Sequence, residues 1–225
     1  MTAIRRFLPI QTLLLIALFN LSFLADLAAA DIAVLKAKAE KGEVDAQAEL
    51  GWHFATGKDV PQSDKEALKW FRMAAEKGNI SSQYNLGLIY ENGRGISKDF
   101  KEAAKWYRMA AEQSHAGAQN NLGLLFYNGE GVTKDFKEAL RWFRSAADQG
   151  DPSGQNNLGM MYFKGHGISQ NAVEAYKWFL LASEQGDPSA LKSREAAAKV
   201  MTPDQIKEAE GRAAQIKRRK QPSQG

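Results

Sequence analysis

The stretch that decides the fold runs Leu86-Gly87-Leu88-Ile89-Tyr90-Glu91-Asn92-Gly93-Arg94-Gly95, then Asp99-Phe100-Lys101-Glu102-Ala103-Ala104-Lys105-Trp106-Tyr107-Arg108-Met109-Ala110-Ala111. It returns every 36 residues: Trp70, Trp106, Trp142 and Trp178 keep that step, as do Gly51, Gly87, Gly123 and Gly159. Leu50, Leu86, Leu122 and Leu158 form a third ladder, and Phe54, Tyr90, Phe126 and Tyr162 a fourth. Self-similarity in one register is the mark of a repeat architecture. Each unit reads as two helices. The first places an apolar residue, leucine and an aromatic four apart on one face, as in Ala118, Leu122 and Phe126. Its internal glycine costs about 1 kcal/mol relative to alanine. Four repetitions of that cost imply that a neighbouring helix must lie against the bare backbone.

The second helix has a repeated start signal. Ser63 with Glu66, Asp99 with Glu102, Asp135 with Glu138 and Asn171 with Glu174 are capping boxes, in which each glutamate is expected to return the bond to the cap. Its core face is Ala103, Trp106 with Tyr107, and Ala110 with Ala111. The four periodic tryptophans therefore read as core rather than as ligand platforms, each large enough to bury about 150–250 Å². Gly78, Gly150 and Gly186 end three second helices, and Ser114 stands in for the fourth. The pairs Gly93/Gly95, Gly129/Gly131 and Gly165/Gly167 follow a helix, not a strand, so they read as left-handed turn positions and not as a phosphate loop. Repeat one has Gly57 and Asp59 there.

The ends are degenerate. Residues 31–41 match the tail of a second helix, and after Pro188 the ladder fails, with Arg194 where leucine is expected and Glu195 where glycine is. A last helix should start at the capping box Thr202-Pro203-Asp204-Gln205 and turn Ile206, Ala209, Ala213 and Ile216 inward. Polar terminal units are what an open stack needs. The expected organisation is a signal peptide over 1–30, a capping helix over 31–41, and repeats over 42–77, 78–113, 114–149 and 150–185. Capping helices follow over 186–219 and a disordered tail over 220–225.

The signal assignment rests on Arg5 and Arg6, an apolar run through Leu24, and Ala28 and Ala30 before the cut. It predicts a periplasmic or secreted protein; the alternative is an uncleaved anchor in the inner membrane over residues 7–24. With no cysteine among 225 residues, disulfides and thiolate chemistry are excluded, and three histidines make a histidine-rich metal centre improbable. His115 and His166 lack ligand-spacing partners and read as solvated. The net charge of +4 is matched by the tail run Lys217-Arg218-Arg219-Lys220, which leaves a nearly neutral body and no basic stripe for nucleic acid.

The pattern Leu-Gly-x-x-Tyr-x-x-Gly-x-Gly followed by Asp-x-x-x-Ala-x-x-Trp-x-x-x-Ala-Ala resembles the Sel-one-like repeat. The likeness covers residues 42–185 fully. It implies an all-α, right-handed α-solenoid of about four 36-residue helix-pair repeats with half-repeat caps at both ends, within the tetratricopeptide superfamily. Family members act as adaptors, scaffolds or regulators that bind proteins. The expectation is thus a non-enzymatic adaptor or regulator of the bacterial cell envelope, holding a peptide or domain of a membrane sensor or secretion component, as a monomer or dimer. No cofactor, metal or catalytic residue is expected. First helices line the concave side of such a stack. By that analogy the groove comprises Trp52, Tyr84, Leu88, Asn120, Asn121, Leu124, Tyr127, Asn156, Asn157, Met160, Phe163 and Lys164. Asn85, Asn121 and Asn157 form a ladder that serves either a bound peptide or the bridging of adjacent repeats. The competing class is a β-lactam-binding or hydrolysing enzyme like the cysteine-rich relatives. Here the bridging cysteines are missing, and the S-x-x-K at Ser189–Lys192 has no companion elements.

Overall fold

The computed structural model describes residues 30–220. The remainder of the assigned signal segment, with its alternative anchor, and the tail beyond 220 lie outside the described residues. Within them every regular element is helical. In chain order these are α1 (30–40), α2 (Val44–Thr56), α3 (Asp64–Glu76), α4 (Ile80–Asn92), α5 (Phe100–Glu112), α6 (Ala116–Asn128), α7 (Phe136–Gln149), α8 (Pro152–Lys164), α9 (Ala172–Glu184), α10 (Pro188–Ala198) and α11 (Pro203–Lys220). No helix among the described residues is long and apolar enough to cross a membrane. The chain divides after Asn79 into two compact units.

In the first unit α2 packs on α3, and Ala39, Ala46, Leu50 and Trp70 are buried with Leu35, Phe54 and Met73 against them. In the second, α4 packs on α5, α6 on α7 and α8 on α9, while α5 meets α6 and α7 meets α8. Consecutive helix pairs packed in this way make an all-α solenoid. The C-terminal helices close it differently: α10 and α11 both pack on α9. Ala209 and Ala213 are fully buried there, and Arg212 and Lys217 reach Glu174 and Glu184 of α9.

The helical glycines make room for a ring. A Cβ at Gly123 would lie 2.7 Å from Phe143, and Gly51, Gly87 and Gly159 face Phe71, Tyr107 and Phe179 in the same way. The expected close approach is therefore made by the aromatic that follows each tryptophan. The four periodic tryptophans are buried, at 3–6% exposure. Over each indole lies the preceding cation: Lys69 at 4.9 Å, Lys105 at 5.4 Å, Arg141 at 4.1 Å and Lys177 at 4.5 Å.

Those cations explain a correction to the capping boxes. The cap side chains of Ser63, Asp99, Asp135 and Asn171 do accept from the glutamate N–H three residues on. The glutamates do not return the bond. Each cap N–H instead donates to the carbonyl of the preceding helix's periodic aromatic, Phe54, Tyr90, Phe126 or Tyr162, at 2.9–3.0 Å. The freed carboxylates of Glu66, Glu102, Glu138 and Glu174 pair with the cations over the tryptophans. Only Thr202 and Gln205 exchange both bonds, at 2.8 and 3.3 Å.

Buried glutamines add a second ladder. Gln47, Gln119 and Gln155 donate to the carbonyls of Ala39, Ala111 and Ala147 in the helix before, at 3.0, 3.0 and 3.5 Å. The Oε1 atoms of Gln83, Gln119 and Gln155 are acceptors for a second glutamine 30 residues on: Gln113 to Gln83, Gln149 to Gln119 and Gln185 to Gln155, at 2.7–2.9 Å. In the first unit Lys77 holds that second position, donates to the Gly42 carbonyl, and leaves Gln47 Oε1 buried without a partner. The second glycine of the two later loops also serves close approach. Gly131 and Gly167 have φ of 69° and 71°, and a Cβ at either would strike the backbone of Phe100 or Phe136. Asp59 takes the same left-handed conformation in repeat one, with φ 61°.

Two stability outcomes follow from this packing. Alanine at an ordinary helical glycine gains about 1 kcal/mol. Gly123→Ala should instead lose about 1–2 kcal/mol in urea unfolding, because Phe143 is buried and overpacking costs more than propensity returns. A stabilised variant would remove the ring-on-backbone argument. Lys77→Gln should gain about 0.5–1.5 kcal/mol by giving Gln47 Oε1 a donor; an unchanged or lower melting temperature would count against the ladder.

Candidate binding face

With the leucine, glycine and aromatic of each first helix turned toward its partner helix, the remaining positions of α4, α6 and α8 form rows of their own. Tyr84, Asn120 and Asn156 share one repeat position, and Asn85, Asn121 and Asn157 the next. Leu88, Leu124 and Met160 make a third row; Glu91, Tyr127 and Phe163 a fourth. All are half-buried except Asn120, which is buried. Lys164, at the end of α8, is exposed.

The asparagines bridge repeats. Asn157 Nδ2 donates to Asn120 Oδ1 at 2.8 Å, and Asn120 Nδ2 to Asn121 Oδ1 at 3.2 Å. Asn120 and Asn157 are thereby committed within the protein, while Asn156 Oδ1 is buried without a partner. Met160 and Phe163 pack onto the cluster of Ala175, Tyr176, Phe179, Ala197 and Ala209, and Ser193 of α10 sits 3.9 Å from Met160 Sδ. The α8 end of the face is thus partly covered by the terminal helices. Leu88 and Leu124 lie in the middle of it.

Two polar knots interrupt the apolar rows. Around α4, the hydroxyl of buried Tyr107 donates to Glu91, and burial together with that bond holds its pKa far above the usual tyrosine value. Tyr84 stacks on His115 with centroids 4.4 Å apart, and burial raises its pKa too. Around α8, Tyr127 Oη lies 3.1 Å from His166 Nδ1 and 3.5 Å from Lys164 Nζ, with His166 stacked on Phe136 at 4.5 Å. The two histidines are therefore not solvated. His115 is the N-cap of α6, its Nδ1 accepting from the Ala118 N–H at 3.1 Å. His166 reaches back from the α8–α9 loop to the preceding repeat.

The sequence did not single out Glu91, although it shares its row with Tyr127 and Phe163 and the 36-residue step alone could have found it; His115 and His166, expected to be solvated, are engaged instead. Trp52, in the first unit, occupies the repeat position of Leu88. It is 43% exposed, with Lys58 Nζ 5.2 Å above its ring and His53 against its edge. Ser189 and Lys192 are both exposed on α10. Among the described residues no cluster of three or more histidines, aspartates or glutamates could hold a metal.

The family model for the Sel1 repeat matches residues 44–79, 80–115, 116–151 and 152–187, so that each match opens on the first residue of a first helix. The chain belongs to the Sel1 repeat family. Among solved structures it is similar to a Sel1 repeat protein from Oxalobacter formigenes, at 35% identity over 78% of this chain and 74% of that one, with a TM-score of 0.65. It is also similar to a protective antigen of uropathogenic Escherichia coli that displays the same repeat fold, at 42% identity over 71% of this chain, with a TM-score of 0.68. The match spans only 34% of the antigen's own length. No curated protein matches. Sel1 repeats commonly serve protein–protein interaction.

In this Sel1 repeat protein the caps between repeats include the carboxylates Asp151 and Asp187, whereas the cap of α6 is the imidazole of His115. Burial lowers the His115 pKa below 6.5, offset in part by its backbone hydrogen bond and by Asp151. The folded state thus binds this proton less readily than the unfolded chain. The contribution is complete above about pH 6.5 and lost as pH falls through the folded value. His115→Asn keeps a capping acceptor without the titration. The melting temperature of the wild type relative to this variant should therefore fall between pH 7.5 and 5.5; a constant difference would remove the histidine cap as a source of pH dependence.

Proposed function

We propose that this protein is a non-enzymatic adaptor or regulator of the bacterial cell envelope that holds a peptide segment or domain of another protein on the face of α4, α6 and α8. The observation that carries the reading is the contrast between two sets of periodic residues. The tryptophans and the rings beside them are spent on the core, whereas Tyr84, Leu88, Leu124 and Tyr127 stay half-exposed in register on the opposite side of the first helices. Apolar anchors beside amides suit an extended chain, since rings and aliphatics supply affinity while polar groups meet the partner's backbone. The family's common use in protein–protein interaction supports it, and the leader-like pattern of Arg5, Arg6, the apolar run and Ala28-Ala29-Ala30 supports an envelope location.

A photo-crosslinking residue at Leu124 in intact cells should capture one discrete partner, in a complex that fractionates with the periplasm. The same residue at Lys137, exposed on a second helix, should not. Leu88→Asp, also on the face, should abolish the capture without lowering the melting temperature by more than about 3 °C, the shift expected for 1 kcal/mol in a chain of this size. Equal capture from both sites, or a cytoplasmic complex, would reject the proposal.

A further inference from the structure

The binding face of the second unit has an electrical direction. Near one end Glu91 projects from α4, half-buried, with one carboxylate oxygen accepting from Tyr107. At the other Lys164 stands exposed at the end of α8, with its ammonium 3.5 Å from the Tyr127 hydroxyl. Neither makes an ion pair among the described residues. The half-buried glutamates Glu102 and Glu138 of the second helices do pair, each with a lysine or arginine three residues on. The other charges along the same edge are engaged: Arg94 has a partner, Glu130 accepts from Asn128 at 3.1 Å, and His166 is stacked on Phe136 beside Tyr127. A half-buried carboxylate with no cation opposite it bears a desolvation cost that a bound cation would offset. Tyr107 makes this carboxylate specific to repeat two, since the rings equivalent to it are Phe71, Phe143 and Phe179, which carry no hydroxyl. It holds Glu91 in place, and the packed neighbours α6 and α8 carry no acid in that row.

We infer that the occupant of this face is an extended, bipolar peptide that sets a lysine or arginine against Glu91 and an aspartate, glutamate or terminal carboxylate against Lys164 and Tyr127. The inference rests on the groove reading above and adds the chemistry and the orientation of the ligand. α4 contacts α6 and α6 contacts α8, and the Lys164 ammonium reaches back from α8 to the Tyr127 hydroxyl of α6, so the two charges lie between one and two helix spacings apart. At about 8–10 Å between packed helices this is about 8–20 Å. An extended chain advancing about 3.3 Å per residue covers that in about three to six residues. Leu124 on α6 lies between the two ends and Leu88 is one turn from Glu91 on α4; both take apolar side chains of the peptide.

The test is selection of binders from a displayed library of random dodecapeptides on the immobilised full chain, followed by titration of the best synthetic peptide. The expected consensus has a basic and an acidic residue three to six apart around apolar ones. Glu91→Gln retains the acceptor for Tyr107, and Lys164 is exposed, so Glu91→Gln and Lys164→Gln should melt as the wild type does. Each should weaken the peptide about three- to fivefold, the range for a solvent-exposed ion pair. Lys164→Glu should select peptides with a second cation in place of the acid. Binders that lack the charge pair, or that are indifferent to all three substitutions, would overturn this inference while leaving the groove intact. A library that yields no binder would overturn the groove reading along with it.

Discussion

A flat aromatic ring lying on a bare stretch of helical backbone is the contact on which the rest of this structure depends. Gly51, Gly87, Gly123 and Gly159 admit Phe71, Tyr107, Phe143 and Phe179 to distances that no Cβ would allow. That brings the two helices of a pair close enough for the adjacent tryptophan to be buried as well. The helix-propensity cost of glycine is about 1 kcal/mol, whereas burying a Phe side chain is worth about 1.5–3 kcal/mol, so the exchange favours the pair. Because ring and glycine lie in different helices, the contact also fixes their register. The rows of outward-facing residues inherit their alignment from it.

Joining one pair to the next is a task for polar groups. The glutamine ladder spans adjacent helices through side-chain amides that are buried and, beyond repeat one, doubly satisfied. Such networks specify a single arrangement because slippage would strand a buried amide. The loop glycines act in the same sense, since Gly131 and Gly167 seat each loop on the backbone of the previous repeat. Apolar burial holds the pairs, and directional bonds set how they follow one another.

Function falls to the positions that these constraints leave over. In the second unit the remaining residues of the first helices vary where the core residues do not: Glu91, Tyr127 and Phe163 stand at one position, Tyr84, Asn120 and Asn156 at another. A scaffold whose register is held from behind can change its front row without unfolding. The face of a Sel1 repeat protein can thereby acquire charge at one end, aromatic surface elsewhere and a partner of its own.

Periodicity alone established the helix pairs, the buried tryptophans, the cap residues and the left-handed loop glycines, because each depends on spacing within one unit or on a conformation one residue type adopts. Which face stays open was legible from the same spacing, as the complement of the core. The return partner of each capping box was not: the cap N–H donates to a carbonyl of the helix before, and backbone carbonyls carry no residue identity to read. Nor were the roles of His115 and His166, whose partners Tyr84 and Phe136 are 30 or more residues away in sequence. Local chemistry determined which helices form and which of their sides is apolar. Only the packed structure decided which polar groups meet, because a hydrogen bond or a stacked ring requires two side chains to arrive at one place, and that depends on every contact between them.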